Sequence, residues 1–176
     1  MFILQYKEAQ NINFITLQTQ KKLLVSYTLF PIDRDDRKNH EITGLHIFDE
    51  NMNKLWGNEF TMPYTEAIMD NIDFSIDPHG NVYMLAKVYD SEKRKERDKE
   101  TGKAGYHFEV LKFTKDNNKI INTIITMVDD YFIRHIAFVE NSLNETVISC
   151  TYSKKAKGET TDGIFLNAVG PDGVHQ

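Results

Sequence analysis

The chain has 176 residues, with 21 Lys and Arg against 26 Asp and Glu, which gives a net charge of −5. This acidic balance argues against a nucleic-acid-binding protein, which would show a basic surface. No apolar run approaches the roughly 18 residues of a membrane span, and the single cysteine excludes an internal disulfide.

The chain is predicted to be one repeat domain, in which related segments follow one another. The opening segment Phe2–Ala9 resembles Phe60–Ala67, which lies at the end of the first complete unit. The repeat therefore predicts the last strand and linker of a preceding unit at 1–12, a first unit at 13–67, a second at 68–131, and a partial third at 132–176.

Two aligned positions carry the repeat. Each of three stretches has a phenylalanine followed, twelve positions later, by a small residue. The aligned pairs are Phe14 with Ser26, Phe74 with Ala86, and Phe138 with Cys150. A small side chain at such a position lets neighbouring sheets approach, so we expect Cys150 to be a buried packing residue and not a nucleophile.

Each unit is predicted to contain four strands. The segments are short, rich in β-branched and aromatic residues, and separated by Asn, Asp and Gly turns. In Asp77–Asn81, proline and a following glycine favour a tight hairpin turn. Repeated four-stranded units are typical of β-propeller blades, whereas the strands of a sandwich or barrel would not recur in fours. The fold class is therefore predicted as all-β, with about three blades' worth of four-stranded antiparallel blades, part of a larger propeller.

The repeats resemble the irregular blades of bacterial propeller proteins. The second unit carries the Asp-x-x-Gly-Asn-Val-Tyr pattern in full, at Asp77–Tyr83. The sequence lacks the Gly-His and Trp-Asp signature of a proper WD40 protein, and its one tryptophan, Trp56, lies in a fourth strand. The resemblance implies an architecture and no particular chemistry. Three blades leave a ring open, so we expect either a longer chain or a homodimer to complete it.

Three long charged inserts connect second and third strands, at 31–43, 90–104 and 153–163. Loops of this length are usually functional or disordered. We select Arg94, Lys95 and Arg97 as candidate contacts for a protein partner, because the interleaved carboxylates of this insert disfavour phosphate binding. Solvated hairpin tips without a partner are an equally good interpretation.

Two further candidate sites are weaker. Asp33, Asp35 and Asp36 could supply oxygen ligands to Ca²⁺, although neighbouring arginines compete for them and no turn glycine is present. Tyr64 and Glu66 lie in the linker between units, where they could bind a small ligand at a central channel or simply anchor one blade to the next. The six histidines show no metal-binding spacing.

The sequence therefore predicts a non-catalytic binding or scaffold module that contacts a protein partner through the charged inserts. The alternative is a propeller enzyme or small-ligand binder with its site in the central channel. Neither nucleic acid nor membrane insertion is expected. No signal peptide is recognised at the start, which fits either a cytoplasmic protein or a fragment of an exported bacterial one.

Overall fold

The computed structural model describes residues 9–17, 21–29, 39–95, 102–115, 119–125, 131–141, 145–157 and 160–170. Every regular element in these ranges is a β-strand. The strands are β1 (Ala9–Leu17), β2 (Lys22–Leu29), β3 (His40–Asp49), β4 (Lys54–Thr65), β5 (Met69–Ile76), β6 (Val82–Tyr89), β7 (Tyr106–Phe113), β8 (Ile120–Ile125), β9 (Phe132–Glu140), β10 (Thr146–Ser153) and β11 (Gly163–Val169).

The strands form three antiparallel sheets in chain order. Sheet one has the order β1-β2-β3-β4, sheet two β5-β6-β7-β8, and sheet three β9-β10-β11. This arrangement confirms the all-β prediction. Residues 1–8, which begin the segment predicted to hold the last strand of a preceding unit, lie outside the described residues. No helix among the described residues is long and apolar enough to cross a bilayer.

The chain divides into two compact units, of which the first contains sheet one and the second contains sheets two and three. In the first unit, Leu24, Leu45 and Ile47 on the central strands have no exposed surface. Ser26, at the small-residue position of the repeat, is also buried. The unit boundaries inferred from the repeat remain a prediction.

The second unit has a core between sheets two and three. Successive side chains of a strand point to opposite faces of the sheet. On β6 and β7, the aromatic and aliphatic side chains of one face pack against residues of sheet three. The core includes Leu85, Phe108 and Val110 from sheet two and Ile148 and Val169 from sheet three.

Cys150 lies on the central strand of sheet three, where it is 3% exposed. Burial raises the pKa of its thiol, and the thiolate is the form that acts as a nucleophile. Ala86, its counterpart in the repeat, lies on the central strand β6 and has no exposed surface. The burial predicted for Cys150 is confirmed.

One turn geometry recurs in all three sheets. In sheet one, Asp49 accepts hydrogen bonds from the backbone N and the side-chain amide of Asn53 at 2.8 and 3.0 Å. In sheet two, Asp77 accepts the same pair from Asn81 at 2.8 and 2.6 Å. Gly80 has a φ of 87°, which confirms the left-handed residue predicted for this turn.

In the turn of sheet three, the hydrogen bond between the two side chains runs in the opposite direction. Asn141 Oδ1 accepts from the backbone N of Glu145 at 3.0 Å, and Asn141 Nδ2 donates to Glu145 Oε2 at 2.7 Å. The two side chains still join the ends of a five-residue loop. In this loop the acidic residue is the last residue, whereas in the other two turns it is the first. This exchange explains why the Asp-to-Asn pattern is absent from the third unit of the sequence.

Candidate functional site in the cleft between sheets two and three

Arg94 contacts two residues of its own sheet, Asp70 and Tyr89. Its Nη1 lies 2.7 Å from Asp70 Oδ1, and its guanidinium carbon lies 5.4 Å from the centre of the Tyr89 ring. Lys95 is exposed, and Arg97 lies outside the described residues. The positive charge of Arg94 is thus already paired within sheet two, and contact with a protein partner through this insert remains a prediction.

The linker residues are close in sequence but differ in exposure. Tyr64 near the end of β4 is half-buried, and the following Glu66 is exposed, with its backbone N donating to Asn39 O at 3.4 Å. Their predicted role in ligand binding remains open. The calcium candidates Asp33, Asp35 and Asp36 lie outside the described residues. Within the part that the structure describes, no three His, Cys, Asp or Glu side chains are grouped to hold a metal ion.

Two histidines are hydrogen-bonded to polar side chains, His46 in the core and His107 at a half-buried position. His46 is 5% exposed, with its Nε2 3.4 Å from the Tyr27 hydroxyl, and burial is the main cause of its lowered pKa. His107 Nε2 lies 2.9 Å from Oε1 of Glu109, which has no exposed surface. That hydrogen bond is the main cause of the raised pKa of His107. For each histidine, a hydrogen bond to a nearby polar side chain accounts for its place in the fold.

The most chemically distinctive site is a small pocket in the cleft between sheets two and three. Its enclosed volume is about 20 Å³, and the whole depression, including the space open to solvent, occupies about 280 Å³. Lys112 of β7 and hydroxyl-bearing residues of both sheets supply its polar groups, and three aliphatic residues supply its apolar surface. The lining residues are Tyr83, Val110, Lys112, Ile121, Thr123, Thr146, Val169 and Gly170.

On the sheet-two side, this pocket is backed by the Asp77 turn. Asp77 has no exposed surface, and its Oδ2 accepts from the Tyr83 hydroxyl at 3.1 Å in addition to the Asn81 amide. Burial is the main cause of the raised pKa of Tyr83, followed by the nearby charges of Asp77 and Glu140. The Tyr83 hydroxyl therefore stays protonated and donates to the carboxylate.

On the sheet-three side, Glu140 ends β9 directly opposite Thr146, the first residue of β10. Glu140 is 9% exposed, and the Thr146 hydroxyl lies 3.0 and 2.9 Å from its two carboxylate oxygens. Burial raises the pKa of Glu140 to about 7, with a contribution from Asp77, while the Thr146 hydrogen bond and Lys112 act in the opposite direction. A buried acid that exchanges its proton near neutral pH thus lies directly behind a pocket residue.

Sequence reasoning located two of the five residues of this cluster. The turn pattern identified Asp77 and Tyr83, although as an architectural signature. Glu140 and Thr146 were missed because they flank a turn, Asn141–Glu145, that lacks the Asp-to-Asn pattern. Lys112 was missed because nothing in the sequence shows that β7 faces sheet three. The sequence contains one signal for Glu140, because this acidic residue lies between the apolar Val139 and the turn that follows.

The raised pKa of Glu140 has a consequence for stability. The folded state holds the proton more tightly than the unfolded state, so the free energy of unfolding should fall as pH rises from about 4.5 through 7. We expect Glu140→Gln, which cannot ionise, to be more stable than the parent by a few kcal/mol above pH 7, because each tenfold difference in proton affinity corresponds to about 1.4 kcal/mol.

Urea unfolding at acidic and at mildly alkaline pH measures this difference. Glu145→Gln, a neighbouring change in the turn, is the control and should retain the pH dependence of the parent. A Glu140→Gln variant with the same pH dependence as the parent would show that this carboxyl titrates normally.

The comparisons with known proteins give a fold likeness and no family. No family model and no curated protein matches the chain. Among solved structures, a point variant of an ACO/RPE65 chimera aligns with a TM-score of 0.50 and 10% identity over 88% of this chain. A mutant of Synechocystis apocarotenoid oxygenase aligns with a TM-score of 0.49 and 10% identity over 88%. In both cases the alignment covers 34% of the solved chain, so this chain spans about a third of their length.

Proposed function

We propose that this chain is a segment of a β-propeller with three consecutive blades, and that it binds a small ligand in the cleft between sheets two and three. The blade assignment is supported by three consecutive antiparallel sheets, each with the same turn geometry. It is also supported by the likeness to the ACO/RPE65 chimera, whose fold is a propeller.

One observation carries the ligand proposal: Glu140, with its pKa raised to about 7, lies behind a pocket that combines aliphatic and polar residues. Small-molecule sites are typically concave and largely apolar, with a few placed polar groups. Residues whose pKa is perturbed by burial and by a specific charge cluster at functional sites. The cleft combines an apolar and polar lining with a buried acid beside it, all within a single compact unit.

This proposal replaces the scaffold function as our preferred interpretation. The scaffold prediction depended on the three long inserts of mixed charge, and in one of them Arg94 is paired with Asp70 of its own sheet. The alternative predicted from the sequence, a small-ligand binder or enzyme, fits the cleft better, although the site lies between two sheets and not at a central channel.

Chemical-shift mapping of the full chain with small probes tests the proposed site. We expect propionate, propionamide and propanol at millimolar concentrations to shift the amide signals of Lys112, Thr123 and Gly170. The amides of sheet one serve as an internal control and should not move. Shifts spread evenly over the chain, or confined to sheet one, would overturn the proposal.

A further inference from the structure

Sheet three has a second face, on the side away from sheet two. Residues directly opposite one another on antiparallel strands have their side chains on the same side of the sheet. This second side, called here the outer face of sheet three, therefore consists of three rows that run across β9, β10 and β11. The rows are His135 with Thr151 and Ile164, Ala137 with Ser149 and Leu166, and Val139 with Val147 and Ala168.

The large aliphatic side chains of this face are exposed. Ile164, Leu166 and Val139 have 72%, 69% and 58% of their surface in contact with solvent. The residues that alternate with them point the other way, and Ile136 and Ile148 pack in the core shared with sheet two. A contiguous exposed apolar patch on a soluble protein marks an interaction surface.

The pairing registers show which residues of sheet two correspond to this patch. Leu166 pairs with Ser149, the fourth residue of β10, and Val110 pairs with Leu85, the fourth residue of β6. Leu166 and Val110 therefore occupy the same place in their two sheets. One row along, Ile164 corresponds in the same way to Phe108.

The burial of the corresponding residues shows what such a face packs against. Phe108 and Val110 are only 5% and 4% exposed, because they lie in the core against sheet three. On sheet two, these positions thus form the contact with another sheet. Ile164 and Leu166 present the same positions of sheet three to solvent, so the natural partner of this face is a further β-sheet.

The outer face of sheet three is complementary to a second copy of itself. Its nine residues include no Lys, Arg, Asp or Glu, so two copies meet without repulsion between like charges. A two-fold axis parallel to the strands would place β11 of one copy opposite β9 of the other. Leu166 would then meet Ala137 of the second copy, and Ala168 would meet Val139. Each of these pairs combines a larger aliphatic side chain with an alanine.

We propose that the outer face of sheet three is a homodimer interface, in which it packs face to face on the same face of a second copy of this chain. Sheets packed in this way keep their strands within about 30° of each other. The stack of sheets two and three then continues into sheets three and two of the second copy. The interface lies on the side of sheet three away from the cleft, so this inference does not depend on the proposed ligand site.

Sedimentation velocity of the full chain over a range of concentrations tests the proposal. We expect a dimer whose fraction rises with concentration, because an interface of three strands from each copy is small for a stable complex. Leu166→Asp should weaken the dimer by about tenfold or more, because a carboxylate would lose its water in the centre of the interface. Leu55→Asp on β4 is the matched control, since Leu55 is 50% exposed in sheet one, and this variant should dimerise as the parent does.

Cross-linking tests which strands meet. In the proposed arrangement, position 137 of one copy lies about 10 Å from position 166 of the other, the spacing of packed sheets. A short bis-maleimide should therefore join Ala137→Cys chains to Leu166→Cys chains in an equal mixture. Neither variant should be joined to itself, because like positions lie diagonally across the interface. The parent chain, whose one cysteine is buried, is the control and should not be joined.

Three results would overturn the inference. The first is a parent chain that stays monomeric at every concentration. The second is equal dimerisation of Leu166→Asp and Leu55→Asp, which would place the interface elsewhere. The third is cross-linking within each cysteine variant but not in their mixture, which would exclude the contact of β11 with β9. None of these results bears on the ligand site, which is tested by the binding of small probes.

Discussion

Replacing Asp77 by alanine is expected to lower the free energy of unfolding by about 4 kcal/mol, because it removes three hydrogen bonds to a buried carboxylate. A hydrogen bond to a charged group contributes roughly 1.5–3 kcal/mol, and a buried polar group left without its partner costs about 1–3 kcal/mol. The Tyr83 hydroxyl and the Asn81 amide would both lose their acceptor in a region with little access for water.

The chain contains a matched control for this substitution. Asp49 makes the corresponding two hydrogen bonds to Asn53, but these bonds are exposed to solvent. Water can replace the carboxylate in the Asp49→Ala variant, so its cost should be much smaller than that of Asp77→Ala. Urea unfolding of the two variants under identical conditions measures the difference. Equal losses would mean that turn closure alone, and not the buried contact with Tyr83, determines the effect.

Gly44→Ala is the second change with a large expected effect. A Cβ at this position would overlap three atoms of the Tyr27 ring, Cζ and both Cε atoms. Tyr27 is only 3% exposed and also donates a hydrogen bond to Glu59 Oε1 at 3.1 Å, so the ring has little freedom to move aside. We expect a loss of about 3 kcal/mol, the upper end of what overpacking in a core costs.

Gly163→Ala provides the comparison. There the new Cβ would approach the outer end of Tyr152, with the hydroxyl oxygen at 2.5 Å, and this residue is only half-buried. The tip of a half-buried side chain can shift, so the loss should be smaller than at Gly44. Thermal unfolding of both variants tests the comparison. A Gly44→Ala variant as stable as the parent would show that the Tyr27 ring can leave its place at little cost.

The sequence was informative about the strands because their signal is local. Apolar alternation and turn residues occur within a few positions of each other, and the repeat supports each assignment with a second copy. The small-residue position of Ser26, Ala86 and Cys150 is a good example, since three different residues share one property that packing demands. Burial of all three follows directly from their places on central strands.

The candidate site could not be predicted in the same way, because it depends on contacts between sheets. Glu140 and Asp77 are far apart in the chain, and only the packing of sheet three on sheet two brings their charges within range of each other. The exchanged turn at Asn141 and Glu145 also concealed the third copy of the pattern. The charge of Arg94 was recognised from the sequence. Its ion-pair partner, Asp70, was not recognised, because it lies 24 positions earlier in the chain.

The most direct test of the proposed ligand site is a crystal structure of the full chain grown near pH 6 in the presence of propionate. We predict electron density for propionate in the cleft, in contact with Lys112, Thr123 and Val169. Density for propionate only at other places on the chain, with the cleft filled by water, would contradict the assignment of this cleft as the ligand site.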